Sequence, residues 1–189
     1  MSIRISPSRF IAGALIGAGL LLAGCQHAMV EQSVVSRYNT YNENAQMDFW
    51  HQLNDVPMAT NDDGFHAVLL YLDGKDANTD YAARMGDLKS RQLLPNDFNQ
   101  SANQGLERGT LAVILTRMLH IKGGLMLHLV SSSPRYAVRE LYYEDIYPLS
   151  SAQQTFSGAD LVGIMGRVED YQRGDPANRP AADLPSDPH

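Results

Sequence analysis

Four oxygen-bearing side chains in residues 76–87 stand at the spacing of a calcium-binding loop. In the segment DANTDYAARMGD, Asp76, Asn78, Asp80 and Asp87 fall at ligand positions 1, 3, 5 and 12 of such a loop. Position 6, where the sharp turn needs glycine, is Tyr81, and position 12 lacks the bidentate glutamate. The same acids suit the start of a helix at Tyr81. We therefore expect no specific metal site.

The remaining residue types match no catalytic pattern. The chain has six histidines, and no two of them have the spacing of a zinc-protease helix. It contains neither a phosphate-binding glycine loop nor a nucleophile elbow. We therefore expect a protein that is not an enzyme and that needs no cofactor.

Aromatic side chains are a further sign of a binding site. Trp50 follows Phe49, and Tyr142 and Tyr143 lie in a tyrosine-rich stretch. Such rings combine an apolar face with a polar tip, as sugar and peptide sites require, but they also fill gaps in small cores. Both interpretations remain open, and Trp50, Tyr142 and Tyr143 are candidate ligand residues.

The helices that would position these residues recur as similar segments in the sequence. The segment LERGTLAVILTRML (106–119) is echoed by FSGADLVGIMGRVE (156–169). Each segment places apolar residues at positions i, i+3, i+4 and i+7, which predicts one apolar stripe on a helix. These residues are Leu111, Ile114, Leu115 and Met118, and then Leu161, Ile164, Met165 and Val168. Ser157 with Asp160 has the form of a capping box, whereas Glu107 with Thr110 makes a poorer cap.

The repeated unit extends upstream as a helix followed by a proline-containing loop. A third, fainter copy precedes it, so three units follow one another at spacings of about 45 and 50 residues. No single unit can bury its own stripe, which favours a repeat assembly. The sequence predicts an all-α fold with essentially no sheet and with paired helices at 44–54 and 63–73, 79–92 and 107–120, and 135–146 and 157–171.

These units resemble S-layer homology (SLH) domains, in which a second helix opens with Ile-Thr-Arg-Ala-Glu. Residues 106–110 and 156–160 occupy that motif, and residues 54–57 are similar to the Asp-Val-Pro at the head of many such modules. The resemblance implies three helix–loop–helix repeats in a pseudo-threefold or stacked bundle that binds wall polymers. It also implies a ligand role for Arg108, the only arginine at the motif position. A generic capped helical hairpin repeat is the alternative.

The first residues carry a targeting pattern. Arg4 and Arg9 precede an apolar stretch at 10–24, which is too short for a comfortable membrane span. Residues 22–25 then resemble a bacterial lipobox, with the chain's only cysteine at the required place. The resemblance implies removal of a signal peptide (1–24) and acylation of Cys25. The absence of Asp after Cys25 implies an outer-membrane lipoprotein that faces the periplasm.

The ends of the mature chain are more polar than its centre. We predict a lipidated tether at 25–43, a repeat domain at 44–171 and a disordered tail at 172–189, which holds four prolines. The full chain carries a net charge of −6. An acidic surface repels phosphate backbones, so nucleic acid is not an expected partner.

Together these patterns predict a non-catalytic lipoprotein of the cell envelope. The first expectation is that it binds peptidoglycan or an associated wall polymer through its repeats. The alternative is an accessory lipoprotein that docks onto a protein assembly of the outer membrane or of a secretion system. Arg108 in a groove beside aromatic rings would favour the polymer, whereas an exposed apolar or acidic face would favour docking.

Overall fold

Helices account for the regular structure of the chain. The computed structural model describes residues 27–37, 43–121 and 133–174. In these ranges six α-helices form, no strand does, and three isolated β-bridges are the sole β-type pairing. The helices are α1 (Glu43–Asp55), α2 (Asn61–Asp73), α3 (Tyr81–Ser90), α4 (Arg108–Met118), α5 (Pro134–Tyr143) and α6 (Gly158–Gly174). The prediction of an all-α fold is confirmed for this part of the chain.

Local hydrogen bonds fix where the helices begin. Ser157 and Asp160 exchange the two bonds of a capping box, at 3.1 and 3.2 Å, as the sequence predicted. Glu107 makes no side-chain cap, also as predicted. Thr60 and Asp63 form a second complete capping box at the start of α2, and Gly74 ends that helix in the left-handed conformation, with φ of 67°.

The apolar stripes lie in the core. Every predicted stripe residue of α4 and α6 is buried, including Leu115 (0% exposed) and Met165 (5%). The faint first copy behaves differently, because α2 is buried on all sides from Asn61 to Leu70. A helix buried all round presents no single apolar stripe, which fits the faintness of this copy in the sequence.

The helices pair in an order that differs from the prediction. The main packing pairs are α1 with α6, α2 with α3, and α4 with α5. Helices predicted to pair within one unit therefore pack chiefly against helices of the neighbouring unit. The first and last helices of the described region are also brought together.

The loops before α2, α4 and α6 explain this exchange. They meet and hydrogen-bond through their main chains instead of folding back as tight hairpins. Leu106 N–H donates to Ala59 O (2.9 Å), Ala59 N–H donates to Phe156 O (3.0 Å), and Arg108 N–H donates to Gln154 O (2.7 Å). We call these three segments (59–61, 104–109 and 152–158) the loop ring.

One glycine permits the close approach at this ring. A Cβ atom on Gly158 would lie 1.6 Å from the carbonyl oxygen of Leu53, at the end of α1. The start of α6 can therefore reach the end of α1 only if residue 158 has no side chain. This contact accounts for glycine at the position where the SLH motif has arginine.

Residues 27–37, which belong to the tether predicted at 25–43, pack against the domain, and we call them the strap. Ala28 O accepts a hydrogen bond from Gly105 N–H (2.9 Å), and Val34 and Val35 are 1% and 3% exposed. No periodic pattern marks this packing, because the buried apolar part of the strap is the short pair Val34 and Val35. At the other end, α6 continues to Gly174, past the predicted start of the tail. The signal peptide, Cys25 and residues 175–189 lie outside the described residues. Among the described helices, none is long and apolar enough to cross a membrane.

Candidate functional site

A buried network of charged side chains lies beneath the start of α2. Arg84, on α3, is at its centre and is only 3% exposed. Its Nη1 donates to Asp62 Oδ1 (2.8 Å), its Nε donates to Asp76 Oδ2, and its Nη2 donates to the carbonyl of Asn78 (3.1 Å). A buried guanidinium requires such compensation, because an unpaired charge in the interior is costly.

His66 completes the network on α2. Its Nδ1 lies 2.6 Å from Asp76 Oδ2, and since an ionised carboxylate only accepts, the ring nitrogen is the donor. Burial acts to raise the pKa of Asp76, but hydrogen bonds from His66, Arg84 and Asn78 outweigh it and hold that pKa at about 2. The ring of Phe49 packs edge-on against His66, with centroids 4.6 Å apart. His66 is thus a hydrogen-bonded member of the core.

The acids of the calcium-like segment are engaged by protein donors. Asp76 Oδ1 accepts from Asn78 N–H (2.9 Å), and Asp80 caps α3 by accepting from Ala83 N–H (2.9 Å). Asp87 pairs with Arg91 at 2.8 Å. Cationic and amide groups therefore stand where a calcium ion would be expected. Among the described residues no group of three potential ligands is placed to hold a metal.

The network also reaches the strap. Ser33 Oγ donates to Asp62 Oδ2 (2.9 Å), and Val35 N–H donates to Asp63 Oδ1 (3.0 Å). Burial raises the pKa of Asp63, although the bonds from Val35 and Thr60 act against that rise. The first turn of α2 is therefore tied through Asp62 to α3 and through both acids to the strap.

Arg108, for which the resemblance implied a ligand role, is buried at the start of α4 and bonds to Asp160. It is 6% exposed, its Nη2 donates to Asp160 Oδ2 (3.2 Å), and its guanidinium lies over the ring of Phe156 at 4.7 Å. Its Nε has no hydrogen-bond partner among the described residues. The hydroxyl of Tyr147 approaches the Arg108 carbonyl at 3.4 Å, and burial raises the pKa of Tyr147. The Arg108 side chain thus joins α4 to the capping box of α6.

The aromatic candidates make contacts in different places. Trp50, on α1, packs edge-on against Phe49 with centroids 5.2 Å apart and is half-buried. Tyr142 and Tyr143 contact each other at the end of α5, with centroids 5.9 Å apart. Arg108 contacts neither group in the described hydrogen bonds and ring contacts. The four candidate ligand residues therefore do not form one site.

Exposed rings and a cation come together at the end of α5. Tyr142 is 41% exposed and Tyr143 is 59% exposed. The Nε of Arg139 donates to the Tyr143 hydroxyl (2.9 Å), and its guanidinium lies 5.5 Å from that ring. We call Arg139, Tyr142 and Tyr143 the aromatic patch. The following loop carries Leu149, which is 82% exposed.

A pocket of about 290 Å³ lies between the strap and the loop before α2. Its lining includes Glu31, Arg37, Met58 and Asp63. Both oxygens of Asp63 already accept hydrogen bonds from Val35 and Thr60, so its carboxylate is committed to the fold. We assign no ligand to this pocket.

Sequence patterns missed the buried network, although one signal for it was present. The pattern Tyr-Ala-x-Arg occurs at 81–84 and at 136–139 and marks Arg84 and Arg139. It does not distinguish the buried Arg84 from the exposed Arg139.

Comparisons with protein families, with curated proteins and with solved structures found no significant match.

Proposed function

We propose that the chain is a non-catalytic lipoprotein of the cell envelope whose helical domain binds peptidoglycan or an associated wall polymer. In this proposal α1 with α2, α3 with α4, and α5 with α6 are three SLH-like units. The loop ring is the observation that carries the proposal, because it joins the loop of each unit to the loops of the other two. Such mutual contact suits three related units around a common axis.

The pairing of α1 with α6 favours a closed, pseudo-threefold bundle over a stack. In a stacked array each unit contacts only its neighbours, so the first and last helices stay apart. Here each helix pair draws one helix from each of two units. Closure of this kind supports the resemblance to SLH domains, and that resemblance supplies the expectation of a wall polymer.

Membrane attachment in this proposal comes from an acyl group on Cys25. The lipobox pattern at 22–25 and the use of the only cysteine there support it. Each buried methylene of an acyl chain contributes about 0.8 kcal/mol, and several chains give stable anchoring. The domain would then face the periplasm from the outer membrane.

Contact with the polymer is assigned to the aromatic patch. Arg108 was the first candidate, but its guanidinium is buried against Phe156 and bonded to Asp160. In the patch, Tyr142 and Tyr143 offer exposed faces against which a sugar ring can pack. Arg139 places a positive charge beside them, suited to a carboxylate of a wall polymer. An otherwise acidic domain needs such a local cation to approach an anionic polymer.

Co-sedimentation of the mature domain with purified sacculi tests the proposal. We expect the parent to sediment and the double variant Tyr142→Ala/Tyr143→Ala to remain in solution. Met47→Ala is the matched control, since Met47 is 64% exposed on α1, away from α5. Equal sedimentation of all three proteins, or of none, would reject wall binding through the patch.

Docking onto an envelope protein is the second candidate, and the exposure of Leu149 favours it. A leucine exposed to 82% and following two exposed tyrosines is typical of a protein-binding surface. A further variant, tested beside the sacculus assay, decides between the two. If Leu149→Ser abolishes the capture of one defined membrane protein while sacculus binding is absent in the parent, docking is the function.

A further inference from the structure

We propose that the acylated domain lies directly against the lipid surface, with the start of the strap and the loop at 101–105 turned toward the bilayer. This inference rests on the proposed acylation of Cys25. It goes further by assigning an orientation and a membrane-facing surface to the folded domain.

Main-chain bonds fix the beginning of the strap to the domain. Ala28 O accepts from Gly105 N–H (2.9 Å), and Val30 N–H donates to Asn103 O (2.9 Å). The side chain of Asn103 adds a bond to the carbonyl of Glu31 (3.0 Å). The strap is therefore held at its first described residues.

The rest of the strap is anchored in the interior. Ser33 and Val35 bond to Asp62 and Asp63, and Val34 is 1% exposed. Releasing the strap would remove one hydrogen-bond donor from each of these two buried carboxylates and expose apolar surface. These residues therefore belong to the domain and do not act as a flexible linker.

Chain length then limits the distance between the anchor and the domain. Cys25 precedes Ala28 by three residues, so their Cα atoms lie no more than about 11 Å apart. A free tether of the predicted length would have a mean reach of about 23 Å. A domain of this size has a radius of gyration of about 14 Å. Because this connection is shorter than the radius of the domain, it restricts the orientations that the domain can adopt at the membrane.

The surface beside the anchor fits a neutral lipid surface. Met29 is 56% exposed there, and His27 pairs with Glu107 at 3.5 Å. Glu31 is exposed nearby. These acids give no attraction for anionic headgroups, so contact depends on the acyl anchor and on the apolar Met29.

The length of helix α2 sets the distance between the two positions that the test compares. Its first residue, Asn61, donates from N–H to Gln104 O (2.9 Å), next to the bond that holds Ala28. Thirteen helical residues extend about 18 Å along the axis. Exposed Lys75 follows the far end, whereas exposed Ser101 lies at the near end, where its carbonyl accepts from Asn61 Nδ2 (2.9 Å).

The experiment measures the depth of two labelled positions in the full, acylated chain. Ser101→Cys and Lys75→Cys each introduce the sole free thiol, because Cys25 is the only native cysteine and carries the lipid. Each thiol receives a fluorophore, and the protein is placed in phosphatidylcholine vesicles that contain a spin-labelled headgroup lipid. We expect about twofold or stronger quenching at position 101 than at position 75, because about 18 Å of helix separates them.

A linker variant is the matched control. Fifteen Gly/Ser residues inserted between Gln26 and His27 add a reach of about 21 Å and should abolish the difference. Equal quenching at positions 101 and 75 in the acylated parent overturns the proposed orientation. A difference between the two positions that survives the insertion shows that the short chain between Cys25 and Ala28 does not set the orientation. A parent chain that lacks the mass of the acyl group overturns the anchor itself, and this outcome is recognised by mass spectrometry before any quenching is measured.

Discussion

Arg84 and Asp62 form a buried ion pair, with Nη1 and Oδ1 2.8 Å apart and the side chains 4% and 7% exposed. Asp76 bonds to the same guanidinium, so one cation serves two buried acids. Because Asp62 also binds the strap, this pair joins α2, α3 and the N-terminal segment at one point.

Arg84→Met should destabilise the domain severely. The substitution leaves Asp62 and Asp76 without their cation, and breaking a buried pair in this way costs about 3–5 kcal/mol. Urea denaturation of the mature chain measures the free energy of unfolding. Arg139→Met is the control, because Arg139 stands at the same place in the second Tyr-Ala-x-Arg pattern but is exposed. Equal losses in the two variants would contradict a special role for the buried network.

Asp76→Asn should weaken the fold at neutral pH but matter less in acid. The folded-state pKa of about 2 lies below the ordinary 3.8, so folding favours the ionised carboxylate. Its contribution, about 2 kcal/mol, is present above pH 3.8 and is lost as the pH falls toward 2. The difference in unfolding free energy between parent and variant, measured from pH 7 to 2, should shrink in that window. A difference that stays constant over this pH range would contradict a stabilising role for the ionised carboxylate of Asp76.

Leu115→Ala and Met165→Ala should each cost about 2–5 kcal/mol, because both side chains are buried and leave cavities. Thermal and urea unfolding measure the losses. Met47→Ala removes the same atoms as Met165→Ala from an exposed position and should change little. Equal losses of unfolding free energy in Met47→Ala and Met165→Ala would contradict the packing described above.

Arg108→Ala should lower stability by about 1–3 kcal/mol, since it removes a partly buried hydrogen bond and the contact with the Phe156 ring. Arg108→Met keeps much of the stem and should recover part of the loss. Calorimetric melting of the three proteins is the measurement. An Arg108→Ala domain that melts like the parent but no longer binds sacculi would instead make this arginine a ligand residue.

Cys25→Ser should abolish acylation and release the domain from membranes. The serine hydroxyl cannot replace the thiol that the lipobox requires, so the chain should remain unprocessed or become soluble. Membrane fractionation with mass spectrometry of the mature N-terminus is the measurement. Normal processing and unchanged membrane association in this variant would disprove the anchor.

Sequence periodicity was sufficient to predict the helices but not their partners. The stripes of α4 and α6 and the cap at Ser157 depend on residues close together in the chain, and these predictions are confirmed. The pairing depends on main-chain bonds between distant loops, such as that from Leu106 to Ala59, which leave no side-chain pattern. The prediction of hairpins within units was wrong for that reason.

The candidate site was predicted less well because burial depends on distant neighbours. Arg84 and Arg139 share the pattern Tyr-Ala-x-Arg, yet only Arg84 meets two acids and a carbonyl, and one of those acids, Asp62, lies 22 residues away on α2. Arg108 was expected at the surface because its motif suggested a ligand. Its burial results from Phe156 and Asp160, about fifty residues away in the sequence.

The contact between α1 and α6 has a consequence for how the chain reaches its folded state. Among the described helices, α6 is the last to be synthesised, so its contact with α1 spans nearly the whole described domain. Ordering so long an intervening segment costs entropy before the contact can form, which slows folding. Until α6 has been synthesised, the chain therefore lacks the helix that completes the described core.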